Sequence, residues 1–345
     1  MNTLETAYVY HPIYLEHDQP GHPENARRLE RILATLEEEG VLDRLKPLEP
    51  RDATEEELLR VHTSRHIENV RRVAERGGGH MDPDTYVSPR SFEAAKMAAG
   101  GLIRAVEEVV TGRVANAFAL VRPPGHHATA TRAMGFCLFN NVAIAARAAL
   151  TLDGIERVLI ADFDVHHGNG TQDLFDDDPD VCYVSTHQYP YYPGTGAKTE
   201  TGRGAGQGTV LNVPLPPGVG DDGYAGIFRH LVWPLARRFS PNLVLVSAGY
   251  DGHWDDPLAH MNLSLSGYAT LQQALVTIAE ELCEGRIVFT LEGGYHLDAL
   301  AYGVLNAFHA LLRLDTVVDP LGPAPRAERP IDALIKELRD RHHLN

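Results

Sequence analysis

Cysteine is scarce. Cys137, Cys182 and Cys283 are the only three in 345 residues, odd in number, far apart and without a Cys-x-x-Cys pair. That argues against a disulfide framework and a thiolate zinc site, and fits a reducing, cytoplasmic setting. Long apolar runs are also missing, and nothing approaches the ~20 residues needed to span a bilayer. The start, MNTLETAYVYHPIY, lacks the basic-then-apolar order of a signal peptide. Cations are in deficit, with 31 Lys and Arg against 47 Asp and Glu and a net charge of −16. Nucleic acid and anionic membrane call for clustered positive charge, so neither is an expected partner. A cationic substrate is compatible. The sequence does not reveal the oligomeric state.

Hydrophobic residues reach 43%, enough for a sizeable core. Short β-branched runs recur: TAYVY, AFALV, RVLIADF, VCYVS, TVLNVPL, LVLVSAG and RIVFTLEGG. Helix-like segments alternate with them: ENARRLERILATLEEEG, SFEAAKMAAGGLIRAVEEVV, NNVAIAARAALTL, GYAGIFRHLVWPLARRF and SGYATLQQALVTIAEELCEG. That alternation predicts an α/β fold whose mostly parallel sheet is covered on both faces. No repeat interrupts it. Residues 1–318 read as one domain, and 319–345 as a Pro-rich connector, DPLGPAPRAERP, leading to a short helix, IDALIKELRDRHH, on or beside it.

Polar clusters follow three of the apolar runs, where ligands sit in open α/β sheets. In ADFDVHHGNGTQD, Asp162, Asp164 and His166 stand at i, i+2 and i+4. On extended backbone they share one face, away from Phe163 and Val165. Three polar groups at a buried strand end need a metal or a satisfied hydrogen-bond network, and these residues alone leave both open. Gly168 and Gly170 suit a sharp turn.

In SAGYDGHWDDP, Asp251 follows another strand and could complete an Asp-His-Asp set, with His253, Asp255 and Asp256 as competitors. Such a set, with one open position, is a catalytic metal pattern. In RPPGHHATATRAMGF, His126 and His127 suit proton handling. A second pair, His342–His343, falls in the terminal helical segment and is assigned no role. In LEGGYH, two glycines put Tyr295 on a flexible turn where a phenol could donate to an oxyanion.

In order along residues 8 to 310, HPENARRLERI, RPPGHHA, GFCLFNNVAIAA, DFDVHHGNGTQ, VSTHQYPYYPGTG, SAGYDGHWDDPLAHMNLS and LEGGYH resemble the histone deacetylase family, with its bacterial amidohydrolases and acetylpolyamine amidohydrolases. The resemblance implies a single-domain arginase-like α/β fold with a central, roughly eight-stranded parallel sheet. It implies zinc-dependent removal of acetyl or short acyl groups from amines. Asp164, His166 and Asp251 become the metal ligands, His127 the general base, His126 its electrostatic or acid partner, and Tyr295 the oxyanion donor. Asp162 would stand behind His126 and Asn169 behind His127. The Asn marks the class II branch. A structural potassium ion would lie near Asp162, Asp164, His166 and Ser185. Donors of this type accept zinc or iron(II).

For substrate, the resemblance assigns Phe136 and Tyr192 to tunnel walls and the Gly135 carbonyl to the scissile N–H. Asp84, with Asp82 as its alternative, would sit at the rim, and Arg28, beside Arg27, near an acetate exit. Polyamine-selective relatives often carry Glu where this chain has Leu258. Acyl-lysine in a peptide or protein is therefore the expected substrate and an acetylated polyamine the alternative. A two-manganese ureohydrolase lacks its second-metal ligands, since Gly168 and His253 stand at those positions. The intact site residues argue against a silent binding protein.

Overall fold

The computed structural model describes residues 5–344. Eight strands form one parallel sheet: β1 Thr6–Val9, β2 Lys46–Leu48, β5 Asn116–Ala119, β6 Val158–Asp162, β7 Val181–Gln188, β8 Val210–Leu215, β9 Leu243–Ala248 and β10 Ile287–Leu291. A separate two-stranded antiparallel hairpin pairs β3 Gly79–Asp82 with β4 Thr85–Val87. The sheet order is β2-β1-β5-β10-β9-β6-β7-β8. The last two strands in sequence thus fill the gap between β5 and β6. Every residue of β5, β6, β7, β9 and β10 is buried, which follows from helices covering both faces. This is the α/β arrangement expected from the alternating runs.

Two elements of the sheet region escaped the sequence pattern. The eighth strand, β2, has only three residues, and Pro47 within it suits an edge. The hairpin carries no apolar run either. Helices Ser64–Glu75, Asn169–Phe175 and Leu297–Leu311 were likewise not picked out. The segment 224–239 is not one continuous α-helix, because a π-helical turn, Phe228–Val232, interrupts it.

The expected strand through His166 is too long. Its ladder stops at Asp162, and the next residues turn. Asp162 Oδ1 accepts the Asp164 N–H at 3.2 Å, and Asp164 Oδ1 accepts the His166 N–H at 2.9 Å. Short acidic side chains capturing the backbone two residues on end the strand by competing with its ladder. Phe163 and Val165 still enter the apolar core, so the alternation persists without the strand.

The terminal helix is Asp332–Arg341, with His342 just beyond it and His343 in left-handed backbone, φ 51°. The pair therefore lies past the helix rather than within it. Ile331, Ile335, Leu338 and Leu344 are buried in the main core. All three cysteines are buried free thiols. Among the described residues, no helix is long and apolar enough to cross a membrane.

Buried histidines make the fold acid-sensitive. Burial pushes His17 and His62 both down to about 3. His62 must be neutral because its Nε2 accepts the Asn140 N–H at 2.9 Å. Their folded pKa values lie below the unfolded value of about 6.5, so between those limits the unfolded chain binds more protons. Stability is complete above about pH 6.5 and falls as pH drops, by up to ~1.4 kcal/mol per unit per histidine. Urea midpoints measured from about pH 7 down to about pH 4 should decline. A flat series would contradict the neutral assignments.

Candidate active site

Four adjacent strands, β5, β10, β9 and β6, deliver the polar groups, each from the loop at its carboxyl end. Loop 120–140 after β5 carries His126 and His127. It is pinned by Asn140, which caps the Asn141–Ala149 helix by accepting from Ala143 N at 3.0 Å. The same Asn140 side chain donates to the Ala128 carbonyl at 3.1 Å and to Thr171 Oγ1 at 3.2 Å.

Asp164, His166 and Asp251 converge, with donor atoms within 4.8 Å of one another. His166 Nδ1 lies 3.1 Å from Asp164 Oδ1 and 3.1 Å from Asp251 Oδ2. The outer carboxylate oxygens are already engaged: Gly293 N–H donates to Asp164 Oδ2 at 2.8 Å, and Val165 N–H to Asp251 Oδ1 at 3.0 Å. Burial alone would lower His166, but its bonds to the two aspartates outweigh that and push it up to about 10. Two buried carboxylates thus favour a positive charge between them. A divalent ion fits this donor set, since two carboxylates and one imidazole nitrogen face the same point. Asp251, rather than His253, Asp255 or Asp256, completes the cluster. Asp256 instead accepts from Tyr295 N and His296 N, at 2.7 and 3.0 Å.

Beside the cluster, the rings of His126 and His127 lie 4.0 Å apart by centroid. Their partners differ in charge. His126 Nδ1 meets Asp162 Oδ2 at 3.0 Å, and Tyr183 donates to that oxygen at 2.9 Å. His127 Nδ1 meets Asn169 Oδ1 at 2.9 Å. Burial would lower both. For His126 the carboxylates of Asp162, Asp164 and Glu292 overcome it and push the ring up to about 10. For His127 burial wins, reinforced by His126 and His166, and holds it well below the usual histidine range. His127 is therefore a neutral imidazole with Nδ1–H donated to Asn169 and Nε2 left as the base. Ser185, the register partner of Asp162, bonds His187 Nδ1 at 2.9 Å.

Tyr295 follows Gly293-Gly294. The turn is close-fitted rather than flexible: a Cβ on Gly293 would stand 2.3 Å from Asp251 Oδ2 and 2.5 Å from Asp164 Oδ2. Gly168 and Gly170 likewise make room, for Asp162 Oδ2 and the Ala128 carbonyl, rather than supplying unusual dihedrals. Arg28 Nε donates to the Gly294 carbonyl at 2.7 Å, and its guanidinium stands 5.3 Å from the Tyr295 ring centroid. Burial and the Asp251 charge raise the phenol well above 10, so it remains a donor.

Of the expected wall residues, Phe136 packs edge-on to Tyr295 at 5.9 Å, and Tyr192 edge-on to His127 at 5.1 Å. Gly135 has a positive φ of 55° and lies against the His127 ring, where a Cβ would come within 2.4 Å. Asp82 is spent within the hairpin, accepting from Thr85 N at 2.7 Å, whereas the Asp84 carbonyl meets His22 Nε2 at 3.1 Å. Arg28 is buried and Arg27 exposed. Leu258 is half-buried, and its carbonyl accepts from Tyr191 at 3.0 Å.

Sequence reasoning missed three contributors. Glu292 accepts the Gly125 N–H at 2.7 Å and the Ser247 hydroxyl at 3.0 Å, tying the loops after β5 and β10 to strand β9. Tyr191 stacks on His166 at 5.7 Å and 22°. Glu24 pairs with both Arg28 and Arg122 in full burial. Glu292 stands in the quoted LEGGYH segment, but nothing local reveals its partners. His167, adjacent to His166, points elsewhere, to Thr195 Oγ1 at 2.7 Å and Gln172 Oε1 at 2.9 Å.

Because a methyl at Gly293 collides with both carboxylates, Gly293→Ala should cost ~1–3 kcal/mol in urea unfolding, the range for overpacking. Wild-type stability would show that the turn has room.

Comparison with known proteins agrees with this geometry. Residues 22–311 match the histone deacetylase domain family. A probable deacetylase of Archaeoglobus fulgidus is 42% identical over 90% of this chain and 88% of its own. The human polyamine deacetylase HDAC10 is 39% identical over 97% of this chain and 51% of its own. The solved HDA15 HD domain superposes with a TM-score of 0.90 at 38% identity, covering 99% of this chain and 95% of that one. The chain belongs to the histone deacetylase family and is a deacetylase, a hydrolase of amide bonds.

Proposed function

We propose that the protein hydrolyses acetyl-lysine, or a short acyl-lysine, in peptides or proteins. Asp164, His166 and Asp251 hold one divalent ion, zinc, with iron(II) admitted by the same donors. When bound, that ion supplies Lewis acidity, polarising a carbonyl and acidifying water. The observation that carries the assignment of roles is the partner behind each neighbouring imidazole, Asp162 behind His126 and Asn169 behind His127. His127, neutral and backed by a neutral amide, takes the proton of the attacking water at Nε2. His126, charged and backed by Asp162, stabilises the negative charge that builds up beside it. The Tyr295 phenol donates to the carbonyl oxygen as it becomes an oxyanion. The proton held by the histidine pair then passes to the departing amine nitrogen, leaving acetate and a free amine. A potassium ion near Asp162, Asp164, His166 and Ser185 would stiffen the strand ends.

Three groups support an extended acyl-lysine stem. Phe136 and Tyr192 offer aromatic edges next to Tyr295 and His127. Gly135 brings backbone against His127, and its carbonyl, which also accepts from the Cys137 thiol at 3.3 Å, would take the scissile N–H. Leu258, held to Tyr191, offers no carboxylate to a distant ammonium. An acetylated polyamine is the second reading, favoured by the net charge of −16 and by likeness to a polyamine deacetylase.

Turnover of acetyl-lysine peptide against acetylated putrescine, with zinc and with chelator, tests the substrate reading. Peptide should be preferred and chelator should abolish both activities. A large polyamine preference would overturn the substrate, and full activity in chelator would overturn the mechanism.

Tyr295→Phe should lower kcat by ~10²–10³, as for loss of one oxyanion donor. An unchanged kcat would remove the phenol from the reaction. Asn169→Asp places a carboxylate behind His127 and stabilises its protonated form. The acid limb of the kcat/KM profile should then move to higher pH by about one unit or more. An unmoved limb would show that His127 is not the base.

A further inference from the structure

We propose that the cleft at the amino-terminal ends of β6, β7 and β8 is a second binding site, made for a small organic phosphate. It lies at the opposite edge of the sheet from the catalytic loops. Arg157 directly precedes β6, Thr209 directly precedes β8, and both line it. The strands between the two sites place them about 15 Å or more apart, at ~3.3 Å per residue. The cleft volume is about 680 Å³, within the range of small-molecule sites.

Its charge runs against the rest of the molecule. The chain carries a net −16, yet Arg157, Arg238, Arg341, His342 and His343 line the cleft and no Asp or Glu does. Among the described residues, neither Arg157 nor Arg238 forms an ion pair. Arg157 Nε donates to the Ser240 carbonyl at 2.9 Å, and Arg238 Nη1 to the His342 carbonyl. Each bond uses one N–H and orients the guanidinium, leaving further donors of the planar fork that grips phosphate oxygens. Of the three arginines, among the described residues, Arg341 alone is ion-paired, to Glu337 at 3.5 Å outside the lining.

A second observation points to a missing hydrogen-bond partner. His342 is buried, and its Nε2 has no hydrogen-bond partner. Burial first, then the nearby charges of Arg238, Arg341 and His343, push its ring down to about 4. The carboxyl end of the terminal helix would repel an anion, but Arg238 caps a carbonyl at that end. Leu235 and Phe239 add an apolar wall suited to an organic body attached to the phosphate.

Calorimetric titration of the full chain with inorganic phosphate and with phenyl phosphate, at matched ionic strength, tests this. Saturable one-to-one binding is expected, tighter for phenyl phosphate. Arg157→Gln and Arg341→Gln both spare the Arg238 bond to the helix end. Each should weaken binding at least ~10-fold while circular dichroism and deacetylase turnover stay unchanged. Absence of saturable binding, or equal affinity in both variants, would overturn the site. Equal affinity for the two phosphates would overturn the organic ligand.

Discussion

Two carboxylates removed from water on the same side of one imidazole create a demand for positive charge that the site must meet. Asp164 and Asp251 each spend one oxygen on a backbone N–H and turn the other toward His166. A buried carboxylate pair is expensive without a positive charge beside it, and the same pair pushes His166 up to about 10. A divalent ion would meet that demand. The neighbouring groups respond to the same charges. Asp164 helps raise His126, while His126 and His166 help lower His127.

The sheet order makes this arrangement possible. Placing β9 and β10 between β6 and β5 brings four loops to one edge, although their sequences lie far apart. Glu292 then fastens two of those loops to strand β9, and glycines admit the backbone where any side chain would collide. Gly293 touches both metal-site carboxylates, and Gly135 touches the base. The fold supplies position, and the partner behind each histidine supplies protonation state. A carboxylate and a neutral amide, Asp162 and Asn169, divide two adjacent imidazoles into a charged and a neutral one.

Much of this was legible in the sequence. The β-branched runs marked seven of the eight sheet strands, because a parallel sheet buried on both faces needs continuous apolar residues. Strand β2 and the hairpin were not legible, because three or four residues with Pro, Asp or Gly carry no period. Asp162, Asp164 and His166 were legible as one polar face, with metal or a hydrogen-bond network left open; Asp251, His126, His127 and Tyr295 were legible as candidates in other segments, and the family motifs gave each its role. The close fit of Gly293 was not, because its neighbours come from β6 and β9. Glu292 and Glu24 stayed hidden for the same reason: a buried acid is recognised by its partners, and those lie distant in sequence. His342–His343 carry no local signal, because Arg157 and Arg238, which line the same cleft, lie far away in sequence.

The most direct measurement of the central claim is metal stoichiometry. Apo-protein dialysed against zinc should bind one equivalent at the Asp164, His166 and Asp251 cluster. Asp251→Asn, which keeps the shape but removes one charge, should bind far less. Full zinc occupancy in that variant, or none in the unaltered chain, would contradict the account.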